Sequence, residues 1–275
     1  MTLVVIGPLT KDLVVIGEQS SHKIGGATYF QSFVFEEFYS DYVAIVNCDD
    51  ESLVKGFPSP DKVRVILKDN THFFINNYPF PDNPDIREQL SNFARIPILK
   101  SDLEDVLPHK IDGFVLNPLN RFDFPPETIE YLKAFNVPIF MSLQGFLRVP
   151  GKQVNGNYYI KLSNFKELPT ILLGVNVIFL DEAEEKIIGT DFDVDEMVIT
   201  NGSQGSRIVN ECEIRINAVK CEEVVDTTGC GDTYMAAFVS QKLLRKSSEI
   251  AGNFASGIAS EKIKNFGPYN YNKYL

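Results

Sequence analysis

Tryptophan is absent from the 275 residues, histidine occurs three times and cysteine four times. The cysteines are scattered and form no C-x-x-C pair, and the histidines stand apart from one another. This spacing does not support a structural zinc site, so we expect the cysteines to be free thiols. The four cysteines are Cys48, Cys212, Cys221 and Cys230.

Long hydrophobic runs are also missing. The longest, such as VVIG and ILLGVNVIFL, are too short to span a bilayer as a helix. The first residues, MTLVVIG, contain no basic leader and no small-residue cleavage site. We therefore expect no signal peptide and a cytoplasmic location.

Basic residues are too few for a general polyanion binder. Lysine and arginine total 26 against 37 aspartates and glutamates, which gives a net charge of −11. Nucleic acids and anionic membranes both require a basic surface, so neither is an expected partner. A local phosphate site built from backbone N–H groups stays compatible with this charge.

The familiar nucleotide-binding motifs are absent too. The chain contains no G-x-x-x-x-G-K-[ST] sequence, and Gly229-Cys230-Gly231 is followed by no third glycine. A P-loop protein and a dinucleotide-binding fingerprint are therefore both excluded. The glycine loop and H-R-D sequence of protein kinases are missing as well.

Short β-branched runs alternate with helical patterns along the chain. This alternation predicts an α/β fold with a mostly parallel central sheet between two layers of helices, in a single domain over residues 1–275. The predicted strands are Leu3–Ile6, Tyr42–Val46, Gly113–Leu116, Pro138–Met141, Val175–Leu180 and Glu196–Thr200. The predicted helices are Thr28–Tyr39, Asp85–Ala94, Pro126–Phe135, Glu182–Ile188, Gly231–Lys246 and Glu249–Asn265.

Two strand-like stretches are not followed by a crossover helix. One covers residues 12–24, and the other covers residues 62–77 and reads as a β-hairpin around Lys68–Asn70. We expect them to form a small β-sheet lid that stands off the main domain. Its exposed edges could pair with a second copy of the chain, which would give a homodimer.

The segment VVDTTGCGDTYMAAF, residues 224–238, combines two acids and two glycines where a strand passes into a helix. Free N–H groups at the helix start, with Gly229 and Gly231 allowing close approach, would form a phosphate site. Asp232 beside such an anion could accept a proton from an attacking hydroxyl. The alternative is a tight turn in which Asp232 is an ordinary first-turn acid.

DTTGCGDTYMAAF resembles the signature of the ribokinase-like (PfkB) sugar kinases, usually D-T-x-G-A-G-D-x-F. Cys230 replaces the usual alanine and Tyr234 the usual phenylalanine. Four further segments resemble family motifs in the expected order, so the resemblance covers essentially the whole chain. They are IGPLTKDLVVIG, GGATYFQS, FLDEAEEKIIG and ITNGSQGS.

The resemblance implies a ribokinase-like fold and a kinase that uses ATP and Mg²⁺. It makes Asp232 the catalytic base and assigns the anion hole to the amides of Gly229, Cys230 and Gly231. The residues implied to face the sugar or polyol are Asp12, Gly25, Gly26 and Arg148. Those implied to lie along the nucleotide are Thr200, Asn201, Gly202, Gly205, Asp226, Thr228 and Asn253. Those implied to act on magnesium are Asp181 and Glu184.

Several positions keep two interpretations. Aspartate replaces the usual asparagine in Asp181-x-x-Glu184, and the pair Glu182 and Glu185 has the same spacing. These acids could also belong to a solvated helix start, where acids are common. Arg148 could contact a phosphate or lie in a surface loop. Cys230 could be reactive at a helix start or simply a tolerated small residue. Asp12 could also be an ordinary turn acid.

The resulting hypothesis is an ATP-dependent phosphotransferase that phosphorylates a hydroxyl of a small sugar or polyol, inositol-like or ribose-like. The first alternative is a nucleoside kinase of the same family. The second is a nucleotide- or sugar-binding protein on this fold that has lost catalysis. The altered magnesium motif is what favours the second alternative.

Overall fold

A computed structural model of the chain describes residues 2–79 and 88–270. Its centre is a nine-stranded sheet in the order β15-β14-β13-β12-β9-β8-β1-β4-β5. All neighbours are parallel except β13–β14 and β14–β15, which are antiparallel. The strands are β1 (Thr2–Ile6), β4 (Tyr42–Cys48), β5 (Val63–Leu67), β8 (Ile111–Leu116), β9 (Ile139–Ser142), β12 (Val177–Asp181), β13 (Glu196–Thr200), β14 (Ser206–Val209) and β15 (Glu213–Ile216).

Helices cover both faces of this sheet, so the predicted three-layer α/β fold is confirmed. One face packs against α1, α7 and α8, and the other against α2, α3 and α5. Because both faces are covered, β4 is buried along all seven residues. The helices are α1 (Ala27–Phe38), α2 (Lys100–Glu104), α3 (Pro126–Lys133), α4 (Gln144–Leu147), α5 (Leu168–Leu172), α6 (Glu182–Ile188), α7 (Cys230–Leu243) and α8 (Ser248–Lys262).

A second sheet of six strands lies beside the first, in the order β10-β11-β7-β6-β2-β3. Its β2 and β6 are parallel, and its other neighbours are antiparallel. We call it the lid sheet. Its strands are β2 (Thr10–Ile16), β3 (Gln19–Gly25), β6 (His72–Tyr78), β7 (Glu88–Ser91), β10 (Arg148–Val154) and β11 (Asn157–Leu162).

The predicted hairpin over residues 62–77 is wrong. β5 pairs in parallel with β4 in the central sheet, whereas β6 pairs with β2 in the lid sheet. The connection between them is held at the end of β4, since the Lys68 N–H donates to the Cys48 carbonyl at 2.9 Å. The Thr71 hydroxyl also accepts from the Asp49 N–H at 2.8 Å. The chain therefore passes from one sheet to the other here.

The lid sheet also contains strands that the sequence analysis did not predict. Residues 88–91 form β7 where a helix was predicted over Asp85–Ala94, whose first three residues lie outside the described part. β10 and β11 form a hairpin whose turn, Asn155–Gly156, has φ angles of 49° and 82°. Asn-Gly is the preferred sequence of such a turn, so this dipeptide was the signal available for the missed hairpin.

The topology places a candidate site at the carboxyl edge of the central sheet. The chain leaves β1 for β4 on one side and later returns to β8 on its other side, so the connections diverge at the carboxyl end of β1. Open α/β sheets bind ligands at such a point. The chain enters the lid sheet after β1, and again after β9 by way of α4. The lid sheet therefore begins at the same edge. No described helix has the length and apolarity needed to cross a membrane.

Truncating a core side chain of α7 should destabilise the fold strongly. Phe238 is fully buried and its ring packs edge-on against Phe179 at 5.6 Å. Because the cavity left behind cannot collapse fully, Phe238→Ala should lower the free energy of unfolding by about 3–5 kcal/mol in denaturant titrations. The control Leu244→Ala, directly after the same helix and half exposed, should change it by no more than about 0.5 kcal/mol. Equal losses would contradict this account of the core.

Candidate active site

A tight turn at the start of α7 presents backbone N–H groups to one cavity. Gly229 has φ 74°, and a Cβ on it would collide with the Phe30 ring, so only glycine fits. The Cys230 N–H donates to the Thr227 carbonyl at 3.1 Å. Among the described residues, the N–H groups of Gly229 and Gly231 have no acceptor. With the helix dipole behind them, they form a site suited to an anion.

A cavity of about 230 Å³ brings together most of the predicted site residues. Its walls come from the lid sheet, the start of α1, the carboxyl ends of β9 and β12, and the start of α7. We call it the smaller cavity. The predicted residues that line it are Asp12, Gly26, Arg148, Asp181, Glu184, Thr228, Gly229, Cys230, Gly231 and Asp232.

Of the two adjacent glycines, Gly25 makes room for the Asp12 carboxylate. Asp12 is buried on β2 and accepts a hydrogen bond from the Thr10 hydroxyl at 2.5 Å. Gly25 on β3 pairs with Thr10 of β2, and a Cβ on it would stand 2.5 Å from both Asp12 Oδ2 and Thr10 Oγ1. Gly26 has φ 101° and a Cβ on it would press against the Pro8 carbonyl. Gly25 thus leaves space for a buried acid that lines the smaller cavity, whereas Gly26 lines that cavity itself.

Two lid residues that the sequence analysis did not identify complete this wall. Asn76 is buried on β6, accepts from Gln89 Nε2 at 2.8 Å and approaches Asp12 Oδ2 with its own Nδ2 at 3.5 Å. Both amides line the smaller cavity. The signal was the alternation of HFFINNY, in which every second residue is buried and Asn76 shares that phase with Phe74 and Tyr78.

Arg148 opens β10 and supplies positive charge at the smaller cavity. Its guanidinium lies 5.8 Å from the Phe74 ring, a geometry typical of cation–π contacts. It lines the same cavity as Asp232 and its charge acts on Glu184. The arrangement is compatible with a contact to a phosphate oxygen.

Asp181 and Glu184 form a reciprocal cap at the start of α6. Asp181 Oδ1 accepts from the Ala183 and Glu184 N–H groups at 2.9 and 2.8 Å, and Glu184 Oε2 accepts from the Asp181 N–H at 3.0 Å. Burial and the neighbouring charge of Asp181 raise the pKa of Glu184 to about 7, with a further contribution from Asp232.

These carboxylates fit the ligand preference of magnesium. Asp181 and Glu184 line the smaller cavity together with Asp232, and oxygen donors with like charges nearby are what a hard divalent cation compensates. The rival pair is placed differently, since Glu185 forms an ion pair with Arg207 and Glu182 lines neither cavity. Within the described residues, no cluster of three or more ligating side chains is present, so most of the ligands would be water or substrate oxygens.

The predicted nucleotide loop lies beside the acidic cap but outside the smaller cavity. Thr200 pairs with Asp181 across β13 and β12, and a tight turn over residues 202–204 follows, closed by the Asn201 N–H donating to the Gly205 carbonyl at 2.8 Å. The loop is attached to α7, because the Ser206 and Tyr234 hydroxyls are 2.7 Å apart. Tyr234, a departure from the usual phenylalanine, thus has a structural partner.

Two other predicted residues are also separate from the smaller cavity. Asn253 is exposed on α8 and donates from Nδ2 to the Glu249 carbonyl at 2.9 Å. Asp226 lines a neighbouring cavity of about 580 Å³, which we call the larger cavity. The two cavities share the walls Asp12, Phe30, Thr227 and Thr228. Burial raises the pKa of the Cys230 thiol, which favours a small packed residue over a reactive thiolate.

Comparison with known proteins identifies a family match over part of the chain. Residues 171–273 match the family model described as pfkB family carbohydrate kinase. A nucleoside kinase of Methanocaldococcus jannaschii is 28% identical over 127 residues, which are 40% of this chain and 42% of that protein. The matched part is therefore less than half of that relative's length.

Solved structures match over nearly the whole chain. A pyrophosphate-dependent kinase in the ribokinase family, complexed with a pyrophosphate analog and myo-inositol, has a TM-score of 0.83 and 22% identity, covering 99% of this chain and 98% of that one. Arabidopsis thaliana ribokinase complexed with ribose and ATP has a TM-score of 0.70 and 18% identity, covering 97% and 94%.

The described part of this chain thus has the ribokinase-like α/β fold, since these structures match 97% and 99% of the chain. The resemblance to the PfkB carbohydrate kinases predicted from the sequence is confirmed over residues 171–273, the segment that contains the turn at α7.

The buried acid Glu184 should make stability fall as pH rises. Between its usual pKa of 4.5 and about 7, the folded protein holds a proton that the unfolded chain has released, so the free energy of unfolding decreases with pH. The contribution of this group is about 3 kcal/mol across that window. Thermal unfolding of Glu184→Gln between pH 4.5 and 7.5 should therefore show a flatter profile than the wild type.

The matched control is Glu182→Gln, which removes one charge from the same helix and should keep the wild-type profile. Magnesium should raise the melting temperature of the wild type at pH 7.5 more than that of Glu184→Gln, because bound cation offsets the buried charge. A pH profile of Glu184→Gln stability that parallels the wild-type profile would contradict the raised pKa of Glu184.

Proposed function

We propose that this protein is a kinase that transfers a phosphoryl group from ATP, with Mg²⁺, to a hydroxyl of a small polyol. The observation that carries the proposal is the convergence of Asp232 and two available N–H groups on one cavity that Asp12 also lines. An acid beside an anion site is unfavourable unless it accepts a proton. That is the arrangement phosphoryl transfer to an alcohol requires.

In the proposed reaction, Asp232 accepts the proton of the attacking hydroxyl as its oxygen bonds to the γ-phosphorus of ATP, while the bond from that phosphorus to the bridging oxygen breaks and ADP leaves. The N–H groups of Gly229 and Gly231 stabilise charge on the transferred group, and Arg148 lies where its guanidinium can add to this. Mg²⁺ bound at Asp181 and Glu184 would neutralise phosphate charge. The lid sheet shields the cavity from water, which would otherwise compete as the acceptor.

The lining of the smaller cavity favours a compact neutral polyol as the acceptor. Asp12 can accept hydrogen bonds from hydroxyl groups, and the amides of Asn76 and Gln89 can both donate and accept. A buried carboxylate next to these amides discriminates against an acceptor that lacks hydroxyl groups at those positions, because its partners would be left unpaired. An inositol-like or ribose-like ring has this pattern.

A nucleoside is the second candidate acceptor. The larger cavity continues from the smaller one and has apolar walls, including Val14, Ile24, Tyr29 and Phe30. A flat apolar group attached to a sugar in the smaller cavity could enter it. The Methanocaldococcus jannaschii relative, which matches part of this chain, is named a nucleoside kinase. This supports testing nucleosides beside polyols.

The proposed donor is ATP, held by the loop of residues 200–205 and by Asn253. The structurally similar pyrophosphate-dependent kinase makes pyrophosphate the donor to test beside it. A binding protein without catalysis would bind either donor and transfer nothing. Asp232 and both turn glycines are present in this chain, which supports catalysis over that alternative.

Asp232→Asn should abolish phosphoryl transfer while leaving the site intact. Loss of the proton acceptor should lower kcat by about 10³-fold, with the affinity for ATP little changed. The measurement is phosphorylated product formed from ATP or pyrophosphate across sugars, inositols, nucleosides and sugar phosphates. Glu222→Gln, an exposed acid outside the site, is the charge control and should match the wild type.

A substrate-dependent kcat that Asp232→Asn retains at the wild-type level would reject the assigned base. If the wild type binds ATP but transfers phosphate to no acceptor, the binding-protein alternative is favoured instead.

Removing the Asn76 amide should weaken acceptor binding. Asn76→Ala leaves Gln89 without its buried partner, and we expect the acceptor KM to rise about tenfold. Its neighbour Asn77 provides the control, since that side chain bonds to Glu88 at 3.1 Å instead. Asn77→Ala should leave the acceptor KM unchanged, and an equal rise in both variants would reject the role of Asn76.

A further inference from the structure

Lys262 is a fully buried lysine at the last residue of α8. Its ammonium donates to the Asp226 carbonyl at 2.7 Å and lies 3.7 Å from Asp226 Oδ2. It also lies 5.9 Å from the centre of the Phe30 ring, the ring that contacts Gly229. Lysines are almost never fully buried unless they are paired, so this position has a specific electrostatic cause.

The end of α8 fixes the residues directly before the turn. The N–H groups of Val225 and Asp226 both donate to the Ile263 carbonyl, at 2.8 and 3.2 Å. The two Asp226 carboxylate oxygens accept from the Thr228 and Gly267 N–H groups at 2.9 and 3.0 Å. Together with the Lys262 bond, these contacts leave residues 225–228 little freedom.

The charge of Lys262 acts on both sides of the turn. Burial alone would raise the pKa of the Asp226 carboxyl, but the Lys262 ammonium and the two N–H donors outweigh burial and hold this pKa below its usual range. Burial lowers the pKa of Lys262, and Asp226 opposes that fall. The same ammonium acts electrostatically on Cys230, within the turn itself.

We propose that Lys262 is a positioning residue for phosphoryl transfer, a built-in cation that neutralises Asp226 and holds the turn of residues 226–231 in its anion-binding shape. This inference rests on the proposed function and adds a residue from α8 that lines neither cavity. Without the ammonium, the buried Asp226 carboxylate would keep its two N–H donors but lose its counter-charge, directly before the turn that is proposed to hold the phosphate. The turn would also lose the bond to the Asp226 carbonyl.

The first test is the neutral variant Lys262→Met in steady-state kinetics. We expect kcat to fall about 100-fold, the size of effect seen when one anion-hole donor is lost, while the acceptor KM stays within about threefold. The control is Lys242→Met, which removes another paired lysine, bonded to Glu196 at 2.8 Å near the far end of α7. It should lower the melting temperature without changing kcat. A folded Lys262→Met with wild-type kcat overturns the proposal.

Chemical rescue separates the charge from mere packing. In Lys262→Ala the vacated space can admit a small cation, so ammonium or ethylammonium chloride should restore kcat by about tenfold over sodium chloride at equal ionic strength. Lys262→Met, in which the space is filled, should show no rescue. Loss of kcat with no rescue in Lys262→Ala would indicate a packing role and overturn the proposal.

If these single variants do not fold, the double variant Lys262→Met/Asp226→Asn, which removes both buried charges, tests the positioning role of Lys262 instead. It should fold and still show a kcat at least about tenfold below wild type, because the bond to the Asp226 carbonyl is gone. Wild-type kcat in this variant would overturn the positioning role.

Calorimetric titration with pyrophosphate distinguishes this inference from the proposed function. If the wild type phosphorylates no acceptor but binds pyrophosphate, and Lys262→Met binds it about tenfold more weakly, the kinase assignment fails while the role of Lys262 in holding the anion-binding turn stands. If both proteins bind equally, the role of Lys262 is rejected whatever the activity.

Discussion

The contact between Gly229 and the Phe30 ring sets the geometry on which the candidate active site depends. No side chain fits between them, and because glycine lacks one, Gly229 can also adopt a left-handed conformation directly before α7 starts. The helix therefore points its free N–H groups at the carboxyl edge of the central sheet, where Asp232 follows within the first turn. Phe30 belongs to α1, so packing of α1 against α7 fixes the anion site in place.

Electrostatics impose the second constraint, because several carboxylates meet at this edge in a protein of net charge −11. Asp12 is held among Thr10, Asn76 and Gly25, Asp226 is paired with Lys262, and Glu184 is buried with a raised pKa. These three acids are thus accommodated differently, Asp12 by hydrogen bonds, Asp226 by a buried cation and Glu184 by a pKa raised to about 7. A phosphate donor with its metal would enter a site where charge is already finely balanced.

Local sequence patterns were sufficient to predict much of the central sheet and the turn at the start of α7. The buried strands of the central sheet appear as short β-branched runs because both of their faces are covered, and the turn at residues 226–232 is contiguous in sequence. The strand over residues 62–67 was assigned to the wrong sheet because a hairpin and a crossing between sheets have the same local pattern. Asn76, Gln89 and Lys262 were missed since each gains its role from a distant partner: Asp12, Asn76 and Asp226.

What the amino-acid sequence by itself determined was the α/β class, the family resemblance and the loop at α7, since these depend on periodicity and on residues close together along the chain. Only the tertiary structure decided which acids share a cavity, that β7, β10 and β11 enlarge the lid sheet, and that a lysine from the end of α8 supports the anion turn. The physical reason is that burial and charge pairing depend on distances through space, and these are established only when remote segments pack together.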